Sequence, residues 1–311
     1  MISSSEQLLS STTSTVLVTG ASCEMGSALI RLLLDNSGLA VRGMAHRTLV
    51  NIPGCDIRPG NLKNAGLLAR ALSGVDIVVH MGALTKSTRE SDYFETNVNG
   101  TKNLIDACLK SGVKKIIYIS SAAVSSKGGG YSRSKLEAEQ YIKKSGLKWT
   151  ILRPSEVYGQ SSSDSINSLI DWVKRHTFVP VIGGGKCKLS PVFVDDVVSA
   201  MALAVSDKEL ENEIIVLAGP EELTYDVLVD RIAAYFGVKR FKLHLPVGLV
   251  KFGATLISGL GINTFVPDQI PRLLCEKSFR IDFAKEKLGY SPRTLEEGMD
   301  STFCNNYGGL S

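Results

Sequence analysis

The sequence predicts an α/β fold, a doubly wound parallel sheet with a smaller C-terminal lobe. Three observations predict it. Short apolar runs rich in β-branched residues alternate with helical segments through the first half of the chain. Such alternation builds a parallel sheet covered by helices on both faces. The first run, Val16-Leu17-Val18, leads through Thr19-Gly20-Ala21-Ser22-Cys23-Glu24-Met25-Gly26 into an apolar helix from Ala28 to Leu34. Strand, glycine turn and helix in this order are the context of a dinucleotide fingerprint, which makes the expected sheet Rossmann-type. Finally, 311 residues, 44% hydrophobic and 21% charged, suffice for one large domain or two.

In chain order, the apolar runs place strands near 15–19, 39–45, 55–58, 76–80, 114–120, 149–153 and 213–218. Helical spacing places helices near 25–36, 64–73, 91–111, 131–145, 164–176, 195–206, 223–236, 246–258 and 282–288. The first six strands form the expected dinucleotide sheet. After Arg153 the pattern loosens into turns such as Ile182-Gly183-Gly184-Gly185. The expected division is a tail over 1–14 and a dinucleotide-binding domain over 15–155, with a segment of about 191–219 returning to it. Residues 156–190 and 220–311 form the lobe that closes over a substrate.

Within the dinucleotide turn, Gly20 permits the tight bend and Gly26 lets helix and strand pack closely. A pyrophosphate is expected at the helix N-terminus, beside Ser22, Cys23, Glu24 and Met25, where free N–H groups and the dipole favour an anion. Further along, Tyr131 and Lys135 stand four residues apart, ten positions after Ser121. Residues i and i+4 share a helix face. An ammonium beside a phenol favours the phenolate, which draws the tyrosine below its reference value of about 10. Reaching neutrality takes roughly 3 pKa units, or about 4 kcal/mol.

Charge and cysteine usage exclude other classes. The net charge is +4, and no basic run suggests a nucleic-acid stripe. Six scattered cysteines lack a Cys-x-x-Cys pair and read as reduced thiols of a cytoplasmic protein. Four scattered histidines predict no metal. Residues 1–14 lack the basic and apolar regions of a secretory signal. The stretch from Pro246 to Val266 is mostly apolar, but four glycines punctuate it. It reads as a helix packed in the lobe rather than a stable membrane insertion, with a membrane-contacting surface as the alternative.

Taken together, these motifs resemble the short-chain dehydrogenase/reductase superfamily, in its extended, epimerase/dehydratase-like branch. The glycine motif is similar to Thr-Gly-x-x-Gly-x-x-Gly at Thr19, Gly20 and Gly26, with Cys23 in place of the middle glycine. Asp76 to Ala83 looks like the fourth strand and its turn, with Met81, Gly82 and Ala83 beside the cofactor. Asn97 to Leu104 looks like the following helix. Tyr118 to Val124 is similar to the fifth strand, ending at the active-site serine. Leu152 to Gly159 and Pro191 to Val197 match two later segments.

The resemblance implies an NAD(P)-dependent enzyme. Lys135 binds the nicotinamide ribose, Tyr131 moves a proton as general base or acid, and Ser121 orients the same oxygen. Asn97 anchors the neighbouring helix, while Pro154 and the backbone up to Val157 meet the carboxamide. Asn61 and Leu62 take the place beside the adenine. An acidic residue after the second strand would mark NAD, but the sequence there is Ala45-His46-Arg47. Arg47, helped by His46, suits a 2′-phosphate, so NADP is favoured over NAD. The expected partners are a small-molecule substrate and a second copy of the chain in a homodimer. The leading expectation is a nucleotide-sugar epimerase or dehydratase. A dehydrogenase of an apolar alcohol or ketone, steroid- or flavonoid-like, is the second reading. Only nine residues separate Ser121 from Tyr131, and Lys186 and Lys188 stand where a diphosphate-binding arginine is common in sugar-nucleotide relatives. Arg272 and Arg280 are possible replacements. A non-catalytic dinucleotide-binding scaffold is the third reading.

Overall fold

A computed structural model of the chain describes residues 13–35, 38–48, 50–159, 165–250 and 279–304. Most of the expected tail and of the helix expected over 246–258 lies outside the described residues, as does Arg272.

The chain runs β1 (Ser14–Thr19), α1 (Glu24–Leu34), β2 (Leu39–Ala45), β3 (Asp56–Pro59), α2 (Ala65–Leu72), β4 (Ile77–His80) and α3 (Glu90–Tyr93). A π-helical turn (Phe94–Asn99) leads into α4 (Gly100–Ser111), β5 (Lys115–Ile119), α5 (Gly130–Lys143), β6 (Lys148–Pro154) and β7 (Val157–Tyr158). Then come α6 (Ser165–Arg175), β8 (Phe178–Ile182), β9 (Lys188–Leu189), β10 (Val192–Phe193), α7 (Val194–Ser206) and β11 (Glu213–Leu217). Last are β12 (Leu223–Thr224), α8 (Tyr225–Tyr235), β13 (Phe241–Leu245), α9 (Asp282–Leu288) and α10 (Leu295–Phe303).

Seven strands form one parallel sheet in the order β11-β6-β5-β4-β1-β2-β3. Side chains alternate across it, as the pleat requires. Val16, Val18, Val79, Ile117 and Leu152 enter the core shared with α1 and α7. Leu17, Val78, Ile116 and Ile151 enter the opposite core, with α2, α4 and α5. Each fully buried aliphatic side chain contributes about 1.5–3 kcal/mol. The sheet changes direction between β1 and β4, where Thr19 pairs with His80. In open α/β sheets, ligands bind at the carboxyl ends of strands beside such a switch.

The helix expected over 91–111 is interrupted. Its middle widens into the π-helical turn, which carries the buried Asn97. Beyond β6 the chain builds three two-stranded pairs: β7 with β10, β9 with β12 and β8 with β13. The later segments are tied back to the sheet. Tyr290 Oη donates to Ala218 O (3.1 Å), and Arg293 N donates to Asp196 Oδ2 (2.8 Å). The buried Lys115 reaches across from β5 to the C-terminal end of α7, donating to Ala204 O and to Asp207 O just past the helix.

Candidate active site

The glycine turn at the end of β1 fits a close-approaching backbone or anion. Gly20 has φ +75°, and a Cβ there would stand 3.4 Å from Gly82 N. A Cβ on Gly26 would lie 2.3 Å from Gly20 O, so only glycine permits α1 to start this close to the turn. Cys23 has φ −81° and admits a side chain without strain. Its Sγ accepts from Gly26 N at 3.3 Å, which caps α1. The residue is exposed overall, but its sulfur is tucked against the turn, and burial pushes the thiol up. Ser22 is exposed; Glu24 and Met25 are half-buried at the helix start.

A chain of hydrogen bonds leads from this turn into the protein. Thr19 Oγ1 accepts from Met81 N (3.1 Å) and Gly82 N (3.0 Å) and meets His80 Nδ1 at 2.8 Å. His80 Nε2 meets Thr101 Oγ1 at 3.0 Å, and Thr101 Oγ1 donates to Asn97 O at 2.6 Å. Two N–H groups already fill the Thr19 acceptor sites, so its hydroxyl proton goes to Nδ1. Thr101 spends its own proton on Asn97 O, so Nε2 must be the protonated nitrogen. Full burial, with the Lys135 ammonium adding to it, lowers His80 to about 3 and keeps the ring neutral.

Asn97 continues the chain. Its amide group accepts from Leu84 N (2.7 Å) and donates to Leu84 O (3.1 Å) and Ser134 Oγ (3.0 Å). Ser134 Oγ in turn donates to Tyr131 O at 2.8 Å. The turn of Met81, Gly82 and Ala83, half-buried past β4, is thereby joined to the helix that carries Tyr131 and Lys135.

That helix is buried along the face bearing both residues: Tyr131 is 7% exposed and Lys135 2%. Lys135 Nζ donates to Ile119 O (2.6 Å), at the end of β5, and lies 4.1 Å from the centre of the Tyr118 ring. Burial lowers its pKa to about 7, and Glu139 one turn on opposes the shift. Glu139, fully buried, accepts from Ser120 Oγ (2.6 Å) and from Arg153 Nε (2.9 Å) and Nη2 (2.5 Å). Ser121 follows in the next position and accepts from Ala123 N through its side chain at 3.1 Å. Ser132 Oγ donates to Ala123 O, pinning α5 against the serine turn. The connection from Ser121 to Tyr131 folds into turns closed by Val124 N to Ser121 O and Gly128 N to Ser125 O.

The remaining expected residues line the same sheet ends. Pro154, the last residue of β6, and Val157, the first of β7, are buried, and Pro154 O accepts from Ala122 N at 2.8 Å. His46 and Arg47 stand exposed after β2. Asn61 Oδ1 caps its own turn by accepting from Lys63 N, and Leu62 packs against Gly100. Arg280 is exposed and pairs with Asp282 at 3.0 Å. Among the described residues there is no cluster of His, Cys, Asp or Glu fit for a metal. The sequence reading missed the roles of Thr19, His80, Thr101, Glu139 and Arg153. Their signal was faint: Thr19, His80 and Arg153 each stand at or beside the end of an apolar strand, and Thr101 and Glu139 sit among other polar residues of their helices.

Comparison with known proteins gives a consistent picture. A family model described as the NAD dependent epimerase/dehydratase family matches residues 16–218. UDP-glucose 4-epimerase of Vibrio cholerae is 24% identical, with 92% of this chain and 94% of that protein covered. A 3beta-hydroxysteroid-dehydrogenase/decarboxylase, isoform 1, of Arabidopsis thaliana is 26% identical over 78% of this chain. This chain spans 64% of that plant protein's length, less than two thirds. Among solved structures, MoeE5 in complex with UDP-glucose and NAD shares the fold, with a TM-score of 0.74. It is 24% identical, and 96% of this chain and 100% of that one are covered.

Proposed function

The chain belongs to the NAD dependent epimerase/dehydratase family, and from that premise we propose that it interconverts nucleotide-diphosphate sugars by oxidation and reduction at one hydroxyl-bearing carbon. The observation that carries this reading is the hydrogen-bonded path from Thr19 in the glycine turn to Tyr131 on α5. It fixes the dinucleotide cradle and the candidate proton-transfer helix in one frame, which positioning catalysis requires.

The cradle fits a pyrophosphate, since Gly20 and Gly26 leave the backbone bare at the start of α1. A nicotinamide dinucleotide held by this cradle and by Lys135 would supply reversible hydride transfer at the substrate carbon. The chain's own residues handle the proton and the geometry. Tyr131 takes the proton of the reacting hydroxyl as the carbonyl forms and gives it back on reduction. Ser121 donates a hydrogen bond to that oxygen. Lys135 holds the ribose and lends positive charge beside the phenol. Asn97 keeps α5 in register with the turn after β4. NADP is the proposed preference, because Arg47 and His46 stand exposed where NAD sites carry an acidic residue. A homodimer through α4 and α5 is proposed, supported by the exposed Leu109 and Tyr141 on those helices. The proposed compartment is the cytoplasm, and no helix among the described residues is long and apolar enough to cross a membrane.

The likeness to the plant steroid enzyme, with the short Ser121-to-Tyr131 connection, favours a second reading: oxidation of an apolar alcohol with exchangeable cofactor. One experiment separates the two. The purified chain is denatured to release and identify bound dinucleotide, and intact protein is incubated with UDP-hexoses without added cofactor. Conversion at constant dinucleotide supports the sugar reading. Turnover of a sterol with net consumption of added NAD(P) supports the second. Absence of dinucleotide affinity overturns both.

A further inference from the structure

One face of the small β8–β13 sheet differs from the rest of the surface. The two strands run parallel, pairing Phe178 with Phe241, Pro180 with Leu243 and Ile182 with Leu245. Alternation puts these six side chains on one face. The opposite face carries the buried Val179 and Val181, together with Lys242 and His244, which pair with Asp230 and Asp226 of α8. Among the described residues, no ion pair of this kind covers the first face. Phe241 (63%), Phe178 (62%), Leu249 (61%) and Leu243 (53%) are the four most exposed large apolar side chains among the described residues. Leu249 follows four residues beyond β13. The rings of Phe178 and Phe241 stack at 5.9 Å, and Trp172 joins them by donating from Nε1 to Phe178 O at 2.8 Å. Scattered exposed leucines need no explanation, but a contiguous aromatic patch does.

The strands of this sheet and the turns beside them are rich in cations. The segments from Trp172 to Ser190 and from Phe236 to Val250 contain seven Lys and Arg residues and no Asp or Glu, and of these Lys188 and Lys242 pair with Glu222 and Asp230 of neighbouring segments. The whole chain is nearly balanced, at 35 basic against 31 acidic residues. Arg175, Lys186 and Lys239 are exposed and form no ion pair among the described residues. Exposed aromatic and aliphatic side chains with unpaired cations on the same segments suit the boundary between lipid headgroups and acyl chains. An anionic leaflet attracts such cations. A second copy of the chain suits it poorly, since a two-fold contact presents the same patch on both sides and sets like charges together.

We propose that the β8–β13 face is a peripheral membrane-docking surface that adsorbs to anionic lipid bilayers without spanning them. The proposal is independent of the reaction assigned to the cleft.

The test is sedimentation of the full chain with vesicles of phosphatidylcholine alone or mixed with phosphatidylglycerol, at low and high salt. The wild type is expected to sediment with the mixed vesicles, less so at high salt, and to stay in solution with phosphatidylcholine alone. The double change Phe178→Ser with Phe241→Ser should abolish sedimentation. So should Lys186→Glu with Lys239→Glu, which alters only exposed positions and leaves the apolar packing intact. Circular dichroism of both variants confirms that they fold. Failure of the wild type to sediment with anionic vesicles overturns the proposal. So does equal binding to both vesicle types, or a self-association lost in the Phe variant with no vesicle binding by the wild type.

Discussion

His80 shows how a single side chain holds the site in register. It is an acceptor toward Thr19 and a donor toward Thr101, and only the neutral ring can be both. His80→Phe keeps a ring in the core but strands the Thr19 proton and a Thr101 lone pair. Each stranded buried group costs about 1–3 kcal/mol. Urea unfolding should therefore show a loss of that order, and dinucleotide affinity should fall with it, because Thr19 holds the Met81 and Gly82 amides. Unchanged stability would mean that the ring is not bridging the two threonines.

Lys135 gives the clearest pH signature at the same scale. Its pKa is lowered by burial from 10.5 to about 7. Below pH 7 the ammonium is buried at full cost. Between pH 7 and pH 10 the unfolded chain holds more protons than the folded one, so this group makes stability rise with pH. Lys135→Met removes the term. In dinucleotide-free protein, the variant should gain most in thermal midpoint at or below pH 7 and progressively less toward pH 10. A constant difference across that range would place the ammonium in a solvated setting.

At the scale of elements, α5 is pinned to the end of β5 and the residue after it through Lys135 and Ser120, to β6 through Arg153 and Glu139, to the π-helical turn through Ser134 and Asn97, and to the turn after Ser121 through Ser132. Arg153→Met leaves the fully buried Glu139 carboxylate with Ser120 alone. Breaking a buried ion pair on one side costs about 3–5 kcal/mol. The expected result is a chain destabilised by that amount, with Lys135 displaced and turnover lost beyond the stability effect. Chemical unfolding together with kinetics at low temperature checks both parts.

The long regular elements were legible because periodicity marks them. β2 was placed at 39–45 and α9 at 282–288, the ranges they occupy. The π-helical turn was not legible, because Phe94 to Asn99 continues a helical pattern and only the third dimension brings Leu84 and Ser134 to Asn97. The pairs β7 with β10 and β9 with β12 involve two residues per strand, too few to show alternation. For the candidate site, Gly20 and Gly26 announced their backbone constraint in the sequence. Glu139 and Arg153 did not, since their partnership depends on β6 lying beside β5.

At the scale of the molecule, the sheet is closed at one edge by a strand from late in the chain. β11 pairs with β6, and α7 covers α1 from the same core. A chain ending at Gly159 would leave β6 as a bare edge and expose Leu29, Ile30 and Leu33 of α1, all at most 1% exposed in the full protein. That fragment should be aggregated, without cooperative unfolding, when followed by size-exclusion chromatography and circular dichroism. A soluble, cooperatively unfolding fragment would show that the first six strands form a self-sufficient unit.

The whole arrangement serves one purpose in this account, which is to set a phenol on α5 against a dinucleotide cradled after β1. The most direct measurement is turnover of the Tyr131→Phe variant, alongside its content of bound dinucleotide. The account predicts that the variant retains the dinucleotide as the wild type does and converts no substrate. Wild-type turnover by that variant, with the phenolic oxygen gone, would contradict it.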